Sequence, residues 1–153
     1  MPQADEDYKL WVKIHQIRHA IYLARDKELD KFNITTMEAA VLFCVQALDR
    51  EAKPIEISRW LFREPHSVNG ILNRMEKKGL VKRVKDLEKR NWVRVVMTDK
   101  GLQAYVQSMR TGEIHRIMGC LSDKEKKQLN VCLDKISSNA RAELGIDKKL
   151  PFP

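Results

Sequence analysis

Residues 54–101 of this 153-residue chain read as one device, and they restrict the fold more than any other stretch: PIEISRWLFREPHSVNGILNRMEKKGLVKRVKDLEKRNWVRVVMTDKG. A short helix over about Ile55–Phe62 turns Ile57, Trp60 and Leu61 inward. Pro65 opens a second helix, because at the first helical position its missing N–H would have had no partner. Val68, Ile71, Leu72, Met75 and Leu80 give that segment its apolar side, and His66, Ser67, Asn69, Gly70, Asn73, Arg74 and Lys77 lie opposite. Gly79 suits the left-handed residue that stops a helix. Two β-branched strands, about Val81–Lys85 and Trp92–Met97, flank a charged tip, and Thr98 caps a further helix.

Helix, turn, helix and hairpin is the order of a winged helix-turn-helix, which lays one helix in a DNA major groove. The charge agrees. Between Glu56 and Lys100 stand twelve Lys/Arg against six Asp/Glu, a net of +6 out of +8 for the whole chain. Basic excess gathered on one segment is the footprint of a polyanionic partner.

The flanks are helical. From about Asp7 to Lys31, Leu10, Ile14, Ile17, Ile21 and Ala24 form one apolar stripe with Trp11, His15, Arg18 and Tyr22 beside it. That helix lies outside the DNA-reading device, so its stripe must pack on something else. Thr35 and Glu38 form a capping box that starts a second helix, apolar almost all round its middle and therefore buried. After Thr98 the pattern predicts one helix carrying Leu102, Tyr105, Val106, Met109 and Ile117, with a corner at Gly119–Leu121. Ser122 and Glu125 cap a last helix with the stripe Leu129, Leu133, Ile136, Ala140 and Leu144. The ending GIDKKLPFP reads as a docked or frayed extension. The fold class expected is mainly α with a small β-hairpin wing: a winged helix-turn-helix with further helices at its N- and C-terminal ends. The expected segments are 1–34, an N-terminal helix, 35–101, the winged unit, and 102–153, the C-terminal helices, without a linker.

The chain is long enough to bury a core without disulfides or metal. No apolar run reaches the length of a membrane span and the acidic start lacks a signal-peptide core, so the expectation is a cytoplasmic protein without membrane partners. Cys44, Cys120 and Cys132 are widely spaced and form no CxxC, which does not suit a secreted disulfide scaffold. No Gly-rich phosphate loop, HExxH or GxSxG is present, so an enzyme is not expected. His15 and His19 share a helical face, but two histidines alone are weak metal ligands; no metal or cofactor is expected.

These residues resemble the MarR-type (multiple antibiotic resistance regulator) winged helix-turn-helix transcription factors. Members show a Leu-Glu-x-x-Gly-Leu-Val run, then an acidic-x-Arg wing, then Leu-Thr-x-x-Gly at a helix start. Here these are Met75-Glu76-Lys77-Lys78-Gly79-Leu80-Val81, Glu88-Lys89-Arg90 and Met97-Thr98-Asp99-Lys100-Gly101. The element order matches along nearly the whole chain, the motifs from about Ile57 to Gly101. Gly70 departs from the usual side chain in the recognition helix, and Glu88 replaces the usual Asp.

The resemblance implies a homodimer, with residues 1–34 as the N-terminal dimerisation helix and 102–153 as the C-terminal dimerisation helices, interleaved with those of a second copy, that binds a pseudo-palindromic operator and commonly represses. It also implies release by a small aromatic or amphipathic effector in a crevice between the dimer helices and the winged unit. Trp11, His15, His19, Tyr22 and Cys44 are the crevice candidates. For DNA, Ser67, Asn69 and Asn73 are placed to reach base edges, with His66 at a base or phosphate. Arg59, Arg74 and Lys77 are assigned to phosphates, and Arg90, with Lys89 beside it, to the minor groove. The alternatives carried alongside are a winged-helix protein-interaction module and a sequence-tolerant DNA-binding protein.

Overall fold

The computed structural model describes residues 5–85 and 92–146, and the chain divides into two units, Met1–Glu113 and Ile114–Pro153. The first unit opens with α1 (Glu6–Leu29), whose start is capped by the Asp5 carboxylate accepting the Tyr8 N–H at 2.8 Å. Glu6 and Asp7 in its first turn oppose the partial positive charge of unbonded N–H groups. Its last turns are docked. Leu29 is fully buried, and the Asp26 carboxylate accepts the Thr36 N–H at 2.7 Å. The stripe ahead of them is not: Leu10, Ile14 and Ile17 are exposed, and Ile21 and Ala24 half-buried. A short 3₁₀ turn (Asp30–Phe32) ends with Asn33 in the left-handed region.

The expected capping box opens α2 (Thr36–Leu48). The Thr35 hydroxyl accepts the Glu38 N–H at 3.1 Å, and the Glu38 carboxylate accepts the Thr35 N–H at 3.0 Å. Val41, Leu42, Cys44 and Val45 are buried at the centre of the core. Pro54, one residue ahead of the helix start expected at about Ile55, takes the first helical position of α3 (Pro54–Trp60). Helix α3 packs on α4 (Pro65–Lys77), and Val68, Ile71, Leu72 and Met75 of α4 are buried. Each such aliphatic side chain contributes about 1.5–3 kcal/mol on burial, so one side of α4 is held firmly while the other is left to solvent.

The wing strands β1 (Val81–Lys85) and β2 (Val93–Met97) pair antiparallel, Val81 opposite Met97, Arg83 opposite Val95 and Lys85 opposite Val93. The Ala52 carbonyl, two residues ahead of α3, accepts the Val95 N–H at 2.7 Å. This ties the middle of β2 to the segment that leads into α3.

Gly79, at φ 71°, ends the α4 turn in the left-handed conformation expected of it. Beyond the wing, Thr98 caps α5 (Asp99–Ser108) and anchors it to that turn. Its N–H donates to the Leu80 carbonyl at 3.1 Å, its hydroxyl faces the Gly79 and Leu80 carbonyls, and the same oxygen accepts the Gly101 N–H. Gly101 then passes so close to Leu80 that a Cβ would stand 1.8 Å from the Leu80 carbonyl oxygen. The glycine of the Met97–Gly101 motif is required by that contact.

The single helix expected from Thr98 to Ile117 is instead two, α5 and α6 (Gly112–Met118). The break is chemically closed from α1. Arg25 donates to the Ser108 carbonyl at the end of α5, and Glu28 accepts the Glu113 N–H at 3.1 Å in the first turn of α6. Arg25 and Glu28 also pair with each other, at 11 % and 12 % side-chain exposure. With Ser108 bonding back to the Tyr105 carbonyl, the chain has local partners for a break that its apolar spacing does not announce.

The second unit is dominated by α7 (Asp123–Glu143), opened by the expected Ser122–Glu125 capping box. The Ser122 N–H and hydroxyl bonded to the Glu125 carboxylate hold its pKa below the ordinary value. Leu129, Val131, Leu133, Ile136 and Leu144 are exposed along this helix. Residues 147–153, read from sequence as a docked or frayed extension, lie outside the described residues.

Two glycines should respond with opposite sign. Gly101→Ala forces backbone apart and should cost at least about 3 kcal/mol. At Gly70, inside α4, a Cβ would meet only the Arg74 guanidinium at 3.8 Å. Gly70→Ala should therefore stabilise by up to about 1 kcal/mol. Denaturant unfolding followed by circular dichroism checks both.

Candidate nucleic-acid interface

The burial of α4's apolar side in the core, with α3 and β1 packed on it, leaves an outward face of His66, Asn69, Asn73, Arg74 and Lys77, all exposed, with Ser67 half-buried at its border. Thus six of the residues assigned to DNA from sequence are brought together on one helix. Arg59, on α3, is also exposed and pairs with Glu56 one turn earlier at 2.6 Å. Arg59 is the exposed partner of this pair, and the Glu56 side chain is only 17 % exposed. Lys89, Arg90 and Glu88 lie outside the described residues.

Two basic residues that were not assigned a role from sequence organise this face. Arg83 on β1 reaches across to α4. Its guanidinium donates to the Asn73 side-chain oxygen at 3.0 Å and the Asn69 side-chain oxygen at 3.2 Å, and pairs with the Glu76 carboxylate. The Arg83 backbone N–H donates to the same carboxylate at 2.9 Å. Lys78, just past α4, donates to the nearly buried Glu38 carboxylate at 2.9 Å and to the Asn33 carbonyl at 3.2 Å, fixing the end of the helix to the start of α2. Opposite charges seven residues apart across Gly79 were the one available hint of the Glu76–Arg83 pair; strand pairing decides that they meet. Just ahead of β2, the Lys53 ammonium stands 2.9 Å from the Trp92 ring centroid. The cation is attracted to the negative face of the ring.

The crevice candidates divide. Trp11 and His15 stack at 5.8 Å between ring centroids, and Tyr8 stacks on Trp11 at 5.7 Å, all along the exposed part of α1. His19 is exposed one turn further on, and Tyr22 is half-buried. Cys44 lies in the core cluster instead, and burial pushes its thiol up to about 12. A cavity of about 190 Å³ in the first unit is lined by none of these five; Phe32, Ile34, Lys78, Leu80, Lys100 and Gln103 are among its walls. Among the described residues, no three His, Cys, Asp or Glu cluster to hold a metal ion, and no helix is long and apolar enough to cross a membrane.

Comparison with known proteins places this geometry. Residues 34–101 match the winged helix DNA-binding domain family. A comparison with curated proteins finds no match. Among solved structures, the ligand-free organohalide-sensing transcriptional regulator RdhR is 30% identical, covers 100% of this chain and 95% of its own, and superposes with a TM-score of 0.85. The chain belongs to the MarR family of winged-helix transcriptional regulators. The 2,4-dichlorophenol-bound form of RdhR gives 31% identity, coverage of 91% and 86%, and a TM-score of 0.79. Two more distant structures share the fold. A MarR mutant from E. coli complexed with operator DNA has 22% identity, coverage of 87% and 99%, and a TM-score of 0.76. AbsC, a MarR family transcriptional regulator from Streptomyces coelicolor, has 17% identity, coverage of 93% and 99%, and a TM-score of 0.78.

Membership makes the chain a DNA-binding regulator, and its similar structures are regulators rather than enzymes. The MarR-type expectation from the motifs between Met75 and Gly101 is thereby met, as is the mainly α fold with a hairpin wing.

The state of Cys44 has a measurable consequence. A thiol whose ionisation is shifted from 9.0 to about 12 stays protonated and unreactive at pH 8. Titration with a thiol reagent should leave Cys44 unmodified until the protein unfolds. The unfolded chain loses the thiol proton first, so stability should fall as pH rises from about 9 towards 12.

Proposed function

We propose that this protein is a homodimeric repressor that reads a pseudo-palindromic operator and is released by a small aromatic or amphipathic molecule. The observation that carries the reading is α4, whose apolar side is buried while His66, Asn69, Asn73, Arg74 and Lys77 face solvent in a segment of high positive charge. In this reading α4 enters the major groove. Ser67, Asn69 and Asn73 approach base edges and His66 a base or phosphate; Arg59, Arg74 and Lys77 hold phosphates; Arg90 with Lys89 reaches the minor groove. The E. coli MarR mutant complexed with operator DNA supports this use of the fold.

The dimer is supported by what one chain leaves uncovered. Leu10, Trp11, Ile14 and Ile17 of α1, Leu102, Val106 and Met109 along α5 and Leu129, Leu133 and Ile136 of α7 are all exposed. So many apolar side chains in periodic rows mark surfaces that another chain covers. Residues 1–34 and 102–153 accordingly serve as dimerisation elements around the winged unit, 35–101. A two-fold protein places two recognition helices about one helical turn apart on DNA, which is why the operator is pseudo-palindromic. Seated on a promoter, it blocks polymerase.

RdhR binds 2,4-dichlorophenol, and the Tyr8–Trp11–His15 stack with His19 and Tyr22 offers aromatic surface for a compound of that type. A ligand that favours a dimer whose reading heads no longer fit one face of DNA releases the operator.

Sedimentation equilibrium should give a dimer at micromolar concentration. With about eight phosphates neutralised, the log–log slope of operator affinity against salt should be about −7. Arg90→Ala and Lys77→Ala should each weaken binding and lower that slope by about one. A monomer, or equal affinity for operator and shuffled duplex, ends this reading. A chlorinated phenol is the first compound to test for release.

A further inference from the structure

We propose that Arg83 determines base specificity by engaging the side-chain oxygens of Asn69 and Asn73, so that α4 reads bases whose major-groove edge offers acceptors only, guanine and thymine. The proposal rests on α4 being the recognition helix and names the chemistry that helix selects.

Asn69, Asn73 and Glu76 are spaced four and three apart, which puts them on one stripe of α4. Arg83 lies across from that stripe on β1. One of its nitrogens donates to the Asn73 Oδ1 at 3.0 Å and another to the Asn69 Oδ1 at 3.2 Å. A guanidinium has donors and no acceptor, so each amide can present only its oxygen to it. The Arg83 head is itself held by Glu76, whose carboxylate also accepts the Arg83 backbone N–H at 2.9 Å. Arg83 is only 24 % exposed, whereas both asparagines are exposed. The arginine stands behind the reading surface, and the asparagines are on it.

An unconstrained asparagine favours adenine, because its oxygen accepts from N6 while its NH₂ donates to N7. Here the oxygen is held by a charged donor, and charge-assisted bonds are the stronger kind. An adenine N6 reaching that oxygen would have to share it with the guanidinium. Each amide keeps its two N–H donors. Guanine meets them with O6 and N7, and thymine with O4. Adenine at the same place leaves an N6 donor poorly met, which is penalised in a desolvated interface. Arg83 is thus a positioning residue: it acts on DNA through the two amides.

The test is selection of bound duplexes from a pool randomised across one half-site, using the full chain and the variants Asn69→Ala, Asn73→Ala, Arg83→Met and Arg83→Lys. Circular dichroism verifies that each is folded. The wild type should enrich G or T at the positions whose preference disappears in the asparagine variants. Arg83→Met should shift those positions towards A, changing the A-to-G ratio by about tenfold or more. Arg83→Lys keeps a charge beside Glu76 but loses the planar fork, and should shift the same positions in the same direction. Three results overturn the proposal: adenine enriched at those positions by the wild type, no position altered by either asparagine variant, or Arg83 variants that weaken all sequences uniformly with base preference unchanged. Each of these leaves operator reading by α4 or its neighbours standing. A wild type that enriches no sequence sinks that reading and this proposal together.

Discussion

The Leu80 carbonyl is the point on which the winged unit depends. It accepts the Thr98 N–H, it is faced by the Thr98 hydroxyl, and the Gly101 α-carbon passes where no side chain could fit. Three elements meet there. The turn that ends α4 leads into β1, β2 returns to Thr98, and α5 departs. Because backbone is packed against backbone, the contact transmits position almost without slack. A shift of α5 therefore cannot occur without moving the end of α4 or straining Leu80. This gives the helix that would touch DNA a stiff mechanical connection to the helix that follows the wing.

A second set of contacts ties α1 into the same frame. Arg25 and Glu28 satisfy the end of α5 and the start of α6, and Asp26 satisfies the start of α2. These are polar groups that would otherwise be left without partners at helix ends. A nearly buried pair such as Arg25–Glu28 is costly to break on one side, because the surviving charge loses its partner. The C-terminal third of α1 is consequently part of the winged unit's own structure, while its N-terminal two-thirds present apolar side chains outward. One helix thus spans the change from intrachain packing to exposed surface.

On α4 the division of labour is between apolar anchoring and polar orientation. Val68, Ile71, Leu72 and Met75 set where the helix lies. Lys78 sets where it ends, and Arg83 sets how Asn69 and Asn73 are turned. Orientation of an amide is worth as much to recognition as its location, since the two ends of the group ask for opposite partners.

Much of this was legible in the residues themselves. Thr35 and Glu38, Ser122 and Glu125, Pro65, Gly79 and Thr98 act through local chemistry, and a cap or a left-handed turn needs only its near neighbours. Apolar spacing likewise identified the buried side of α4. The split between α5 and α6 was hidden, because its partners, Arg25 and Glu28, come from more than eighty residues earlier in the chain. Cys44 stands in the helix read as buried, and it lies in the core cluster while Trp11 and His15 are exposed. Arg83 read as one more basic residue in a basic wing. Only the pairing of β1 with β2 and its packing on α4 bring it to Glu76, Asn69 and Asn73. The sequence by itself determined the elements, their caps and the sign of the charge, since those are properties of neighbouring residues. The tertiary structure decided which distant donors meet which acceptors, because a side chain's hydrogen-bond partner depends on distance in space and not along the chain.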